Sequence, residues 1–391
     1  MKNQVNRILF ALLREEICGI APEAEVPAEI NAEMLRELYV YAKHHDLAHL
    51  VADALAKHQL LPPEDEMTSK FEKQHMMAIF RYQRLNYQLE AVSAALEEAK
   101  IPFLPLKGSV IRTLYPEPWM RTSCDIDVLV HEEDLERAIK LLTDKLEYKN
   151  EGRGSHDVSL RSAEGVHVEL HYSLLEDDRA NNAKAFLENV WSYAYPAEGK
   201  HCQMLLRDEF FYFYHVAHMA KHIEIGGCGI RPFLDLWLLD RQVEHDEEKR
   251  NALLEGAKLL TFAEASRALA KRWMTEQELD CEDVTKELER YILGGGVYGT
   301  TENRVAVQQK KRGGKVGYIL SRIFLPYNQL SLQYPILKKH KWLTPFYSIR
   351  RWVTLLFGGK IKKGLREMRI NRKTSQDDTE RAEQMIRSLG L

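Results

Sequence analysis

The stretch Asp125-Ile126-Asp127-Val128-Leu129-Val130 places the strictest condition on the fold. It reads as a β-strand. Successive side chains of a strand alternate, so both carboxylates leave one face while Ile126 and Val128 leave the other. A sheet holding this strand therefore packs one face on a core and turns the other toward a polar site. Upstream, Phe103 to Leu106 reads as a short apolar strand, Ser109 to Tyr115 as a helix, and Pro116 with Pro118 as a loop. Downstream, Glu132 to Leu146 fits a helix whose acidic start suits the macrodipole. Val158 to Arg161 and Val166 to Tyr172 read as strands joined by a tight turn at Ala163-Glu164-Gly165. Together these predict a compact mixed sheet over residues 100 to 175.

Elsewhere the apolar period is helical. Val5, Ile8, Leu9, Leu12 and Leu13 form one stripe, and a long helix over residues 66–99 ends before Pro102. After Leu206 the pattern predicts helices over 208–223 and 232–243, with Gly294-Gly295-Gly296 marking a boundary. The expected class is α+β, a small mixed β-sheet core flanked by amino- and carboxy-terminal helical regions. The chain divides into residues 1–99, 100–200, 201–300 and 301–391.

Asp125 and Asp127 at i and i+2 suit a hard divalent cation, Mg²⁺ or Mn²⁺, which takes oxygen ligands and shares its coordination with phosphates. Glu169 leaves the same strand face as His167 and His171, and brings a third carboxylate if its strand lies beside the first. Gly108-Ser109 follows a strand and opens a helix, where backbone N–H groups favour an anion. Lys107 and Arg121 flank this point with positive charge. These parts describe a metal-triphosphate site. By the same reasoning, replacing Asp127 relieves repulsion in a crowded acidic site and leaves folding nearly intact.

The run "LPLKGSVIRTLYP…MRTSCDIDVLV" followed by "HVELHYSL" resembles the stand-alone bacterial nucleotidyltransferase-like family, of the polymerase-β-type nucleotidyltransferase superfamily. "FYFYHVAHMAKHIEIGGCGIRPFLDLWLL" resembles the helical segment that follows the catalytic sheet in that family. The resemblance implies that Asp125, Asp127 and Glu169 bind metal, that Glu169 also activates an acceptor hydroxyl, and that Gly108 and Ser109 hold the triphosphate of an NTP. Lys107 and Arg121 extend that set by charge and position. Cys124 stands where a small polar residue is expected. The implied reaction moves a nucleoside monophosphate from an NTP to the hydroxyl of a small molecule or protein and releases pyrophosphate.

The histidines need separate treatment. His218 and His222 stand at i and i+4, a zinc-compatible spacing, but the glutamate of H-E-x-x-H is missing. With His215, they are expected to line the nucleotide cleft or to bond across a domain junction. Arg231 and Asp235 occupy polar positions nearby, and His44, His45 and His49 read as surface or packing residues.

Charge is segregated along the chain. Residues 301–391 carry 20 Lys and Arg against 6 Asp and Glu, a net of +14, which leaves −17 on residues 1–300 of a chain whose total is −3. No acidic residue falls between Asn303 and Arg366, and Trp342, Phe346, Tyr347, Ile349, Trp352, Val353, Leu355, Leu356 and Phe357 interleave with the bases. Segment 304–366 therefore suits an anionic membrane surface or the protein's own acidic body, with nucleic acid the weaker candidate. Five scattered cysteines (Cys18, Cys124, Cys202, Cys228, Cys281) form no C-x-x-C pair, and the amino terminus lacks a signal-peptide layout. A cytoplasmic location, at or near the inner membrane surface, is expected. Two rival readings remain: a non-catalytic nucleotide-binding scaffold, and a peripheral membrane or assembly protein acting through the basic segment.

Overall fold

The computed structural model describes residues 2–21, 26–175, 182–275, 282–296, 299–357 and 361–391. Cys281 and residues 358–360 of the basic segment lie outside the described residues. Helices α1 (Lys2–Cys18), α2 (Ala32–His44) and α3 (Ala48–Lys57) open the chain. The long helix α4 (Glu66–Glu98) starts where Asp65 accepts a hydrogen bond from the Met67 N–H. It stops ahead of Lys100, whose φ of 55° takes the chain out of the helix, and Pro102 follows.

The sheet comes next. Its strands are β1 (Phe103–Pro105), β2 (Asp125–Val130), β3 (Lys149–Arg153), β4 (Asp157–Arg161) and β5 (His167–His171), in the order β1-β2-β5-β4-β3. Strands β2 and β5 are parallel, and the other neighbours are antiparallel. Two short helices interrupt them: α5 (Gly108–Ile111), which continues as a 3₁₀ turn over Arg112–Leu114, and α6 (Leu135–Lys145), introduced by a 3₁₀ turn over Glu132–Asp134. The helix expected over Ser109 to Tyr115 is thus a single α-turn that tightens. Strand β3 was not foreseen, because Lys-Asn-Glu-Gly-Arg has no apolar alternation; it is an exposed edge paired to β4.

One sheet face is packed by α4 and α6. Ile126, Val128, Leu160, Val168 and Leu170 meet Leu85, Val92 and Leu96 of α4 and Leu135, Ala138 and Leu142 of α6. Truncating any large member of this layer to alanine costs about 2–5 kcal/mol. Fixing those residues inward forces Asp125, Asp127, His167, Glu169 and His171 to the other face. Beyond the sheet lie α7 (Lys184–Glu188), the hairpin β6 (Ala194–Pro196) and β7 (Met204–Leu206), and then α8 (Asp208–Ile225), α9 (Arg231–Gln242), α10 (Glu247–Gly256), α11 (Leu260–Met274) and α12 (Asp283–Leu293). Helices α1 to α3 share one apolar core with α8, α9 and α11. The chain closes with α13 (Thr301–Lys311), α14 (Lys315–Ile323), α15 (Tyr327–Gln333), α16 (Thr344–Phe357), α17 (Ile361–Lys373) and α18 (Gln376–Ser388).

Candidate active site

The turn that leaves β1 is strained. Lys107 adopts φ 47° and ψ −121°, a conformation usually left to glycine, and the Leu106 N–H is tied at 3.0 Å to the Asp127 carbonyl of β2. Gly108 follows because the loop before β2 passes close by: a Cβ there would stand 3.3 Å from the Ser123 Cβ. Arg112, 3% exposed, holds this corner by donating from Nε to the Gly108 carbonyl (2.7 Å) and from Nη2 to Ser123 Oγ (2.8 Å). Sequence reasoning passed over Arg112. Its signal was a cation four residues past Gly108 within an apolar run.

Parallel pairing of β2 and β5 sets Asp125 opposite His167 and Asp127 opposite Glu169. The ligand-type atoms of Asp125, His167 and Glu169 lie within 4.8 Å of one another, as do those of Asp127, Glu169 and His171. Glu169 is common to both sets, so it adjoins each aspartate in turn, with His167 beside the first and His171 beside the second. Glu169 sits on the middle strand of the five, not on an edge.

Buried Asp127 accepts from Lys107 Nζ at 2.9 Å and from His171 Nε2 at 2.8 Å. Burial opposes its ionisation, but Lys107 and His171 outweigh it and hold the carboxyl below the usual carboxylate range. Asp125 behaves oppositely: burial, then the charges of Asp127 and Glu169, push it up to about 6. Glu169 is held low by His171, whose Nε2 lies 3.5 Å from its carboxylate. One aspartate is thus hydrogen-bonded to cations, while the other feels the nearby positive charge less than it feels burial and the neighbouring carboxylates.

Arg121 reaches the cleft wall but is engaged there. Its Nε lies 2.8 and 3.0 Å from the two Asp235 oxygens, its Nη2 is 2.9 Å from Oδ2, and its Nη1 donates to the Thr122 carbonyl. Asp235, with no exposed surface, also accepts from the Tyr115 hydroxyl at 2.8 Å. Arg231 pairs with Asp46 at 2.7 Å, and Thr122 Oγ1 donates to the same carboxylate. This network locks the loop before β2 onto α9 and onto the turn between α2 and α3. Asp46 and Thr122 gave no signal in sequence, since their partners lie far along the chain.

Between the sheet and α8 and α9 opens a cleft of about 470 Å³. Lys107, Gly108, Arg121, Asp125, Asp127 and Glu169 line it, and Cys124 does so beside Ser123. Ser109 does not; its Oγ is buried and has no hydrogen-bond partner among the described residues. From α8 come Tyr214, His215, His218, Lys221 and His222. The Nε2 atoms of His218 and His222 face each other at 3.0 Å, an arrangement that needs at least one of them to accept. Burial keeps both rings neutral, His222 being pushed down to about 4. His215 Nε2 donates to the Pro232 carbonyl at 2.9 Å, which joins α8 to α9. Lys221 is pushed down to about 8 by burial and by Lys107.

The small sheet thus presents a carboxylate pair two residues apart, a third carboxylate in register beside it, and a glycine turn at the cleft edge. A family model described as "uncharacterised nucleotidyltransferase" matches residues 31–275, more than half the sequence, and the chain belongs to that family. It is therefore a transferase, and the match takes in α2 through α11, hence every residue of the cleft. No curated protein and no solved structure matched the chain.

Proposed function

We propose that the cleft transfers a nucleoside monophosphate from an NTP to the hydroxyl of a small molecule or protein, with Mg²⁺ or Mn²⁺, and releases pyrophosphate. The register of Asp127 opposite Glu169 carries this reading, because it brings the Glu169 carboxylate within ligand reach of each aspartate, in two adjoining sets that each include a histidine. The donor set fits such a cation, and the uncompensated repulsion that raises Asp125 is what a divalent charge would relieve. Asp125, Asp127 and Glu169 would hold it, and it would supply Lewis-acid stabilisation of the charge that develops on the phosphates.

The chain's own residues perform the rest. The acceptor oxygen bonds to the α-phosphorus as the bond to the β-phosphate oxygen breaks. The acceptor proton passes to the Glu169 carboxylate, which His171 keeps ionised and oriented. Gly108 lets the phosphates approach the main chain. Lys107 supplies positive charge beside Asp127, and Arg121 holds the loop wall through Asp235. A net −17 on residues 1–300 disfavours a nucleic-acid acceptor. A scaffold role would be favoured by a Glu169 turned from the aspartates, whereas it faces them.

Calorimetric titration of each NTP with Mg²⁺ into wild type and the Asp125→Ala, Asp127→Ala double variant tests the reading. Metal-dependent binding that the variant loses is expected. Binding that survives in the variant would overturn the assignment.

A further inference from the structure

Residues 304–366 lie beyond the family match and take no part in the cleft. Helix α14 has two faces. Tyr318 turns inward, and its hydroxyl donates to Glu367 of α17 at 2.6 Å, while Arg322 pairs with the same carboxylate. Val316, Leu320 and Phe324, spaced four apart, turn outward and are exposed. Helix α16 repeats the pattern. Trp352 donates from Nε1 to the Ile323 carbonyl at 3.0 Å, joining α16 to the end of α14. Phe346, Ile349 and Val353 stay exposed, and Trp342, 70% exposed, stands one turn ahead of them. Outward apolar stripes on two joined helices cost solubility unless something covers them.

The bases identify the cover. Lys338, Lys339 and Lys341 are exposed immediately before Trp342. Among the described residues, the ion pairs made by bases of this segment are Lys310–Glu383, Lys311–Glu224 and Arg322–Glu367, and of these only Lys311 reaches an acid of residues 1–300. The segment's charge is thus not spent on the acidic body. Nucleic acid would match the lysines but offers nothing to aliphatic Val316, Leu320, Ile349 and Val353, whereas a lipid interface accepts both. No helix among the described residues is long and apolar enough to cross a membrane, so the contact lies on the surface.

We infer that α14, α16 and the Lys338–Trp342 turn form a docking surface for an anionic lipid bilayer. The test is flotation of the full-length chain with vesicles of phosphatidylcholine, with and without phosphatidylglycerol, at low and high salt. Binding is expected only with the anionic lipid, and it should weaken as salt rises. Reversing three lysines in Lys338→Glu, Lys339→Glu, Lys341→Glu should weaken it roughly 100-fold at low salt. Trp342→Ala with Ile349→Asp should weaken it at both salts, and NTP binding should be unchanged in each variant. Absence of lipid binding, equal binding to neutral vesicles, or indifference to both variants would overturn the inference. So would lipid-free self-association or single-stranded RNA binding that these substitutions abolish, since either assigns the surface to another partner.

Discussion

Asp125 and Asp127 share a strand face, yet replacing each by asparagine should move stability in opposite directions. Asp125 in the folded chain is raised from 3.8 to about 6. The folded state therefore holds its proton more tightly than the unfolded chain, and stability falls as pH rises from 3.8 through 6. At neutral pH the full penalty is present, about 3 kcal/mol at 1.36 kcal/mol per unit, and Asp125→Asn removes most of it. Asp127 is depressed, so its contribution is present above 3.8 and is lost as pH falls through its folded value. Asp127→Asn discards that contribution and leaves half-buried Lys107 facing only Asp125 and Glu169. Breaking a buried pair costs about 3–5 kcal/mol, and the remaining carboxylates place the loss near 2–3 kcal/mol. The expectation that replacing Asp127 leaves folding intact is corrected accordingly, because the carboxylate is paired with Lys107 and His171. Urea unfolding at neutral pH with chelator, followed by tryptophan fluorescence, reads both values. Mg²⁺ should then raise the wild-type unfolding free energy by about 2.7 kcal/mol at 100 times its Kd, and leave both variants unmoved. Shifts of the same sign for the two variants would refute the charge assignment, whatever their activities.

Glu169→Gln should lower nucleotidyl transfer by at least about 100-fold and weaken metal-dependent NTP binding less than the Asp125→Ala, Asp127→Ala double variant does, as rate and calorimetry together would register. Arg112→Ala should destabilise the fold by about 2–3 kcal/mol in urea, since it orphans the Gly108 carbonyl and Ser123 Oγ at a buried corner. His49, buried and donating from Nε2 to the Met120 carbonyl, is pushed down from 6.5 to about 4, chiefly by burial. Its stability contribution, about 3 kcal/mol, is present above 6.5 and is lost as pH falls toward 4, so His49→Gln should flatten the acid limb of the stability profile.

The carboxylate face was legible because it is a local property. Alternation in β2 and β5 fixes Ile126, Val128, Val168 and Leu170 toward α4 and α6, and the acids have only one direction left. The cations were not legible in the same way. Lys107 and Arg121 were placed at the phosphates by their nearness to Gly108, but the first rests on Asp127, 20 residues away, and the second on Asp235, 114 residues away. Spacing reports which face a side chain leaves, whereas its counter-ion depends on which distant element packs there. Strand β3 escaped for a different reason, since an edge strand held by its backbone pairs to β4 and by the Arg161–Glu151 bridge needs no apolar pattern. The acid-free run after Asn303 shows both limits. Its charge could be counted from sequence, but two readings, a cover for the acidic body and an external anion, fit the count equally. What bears on the choice is three-dimensional: among the described residues one ion pair reaches the body, while Phe346, Ile349 and Val353 stay in solvent on a helix whose Trp352 is anchored inward.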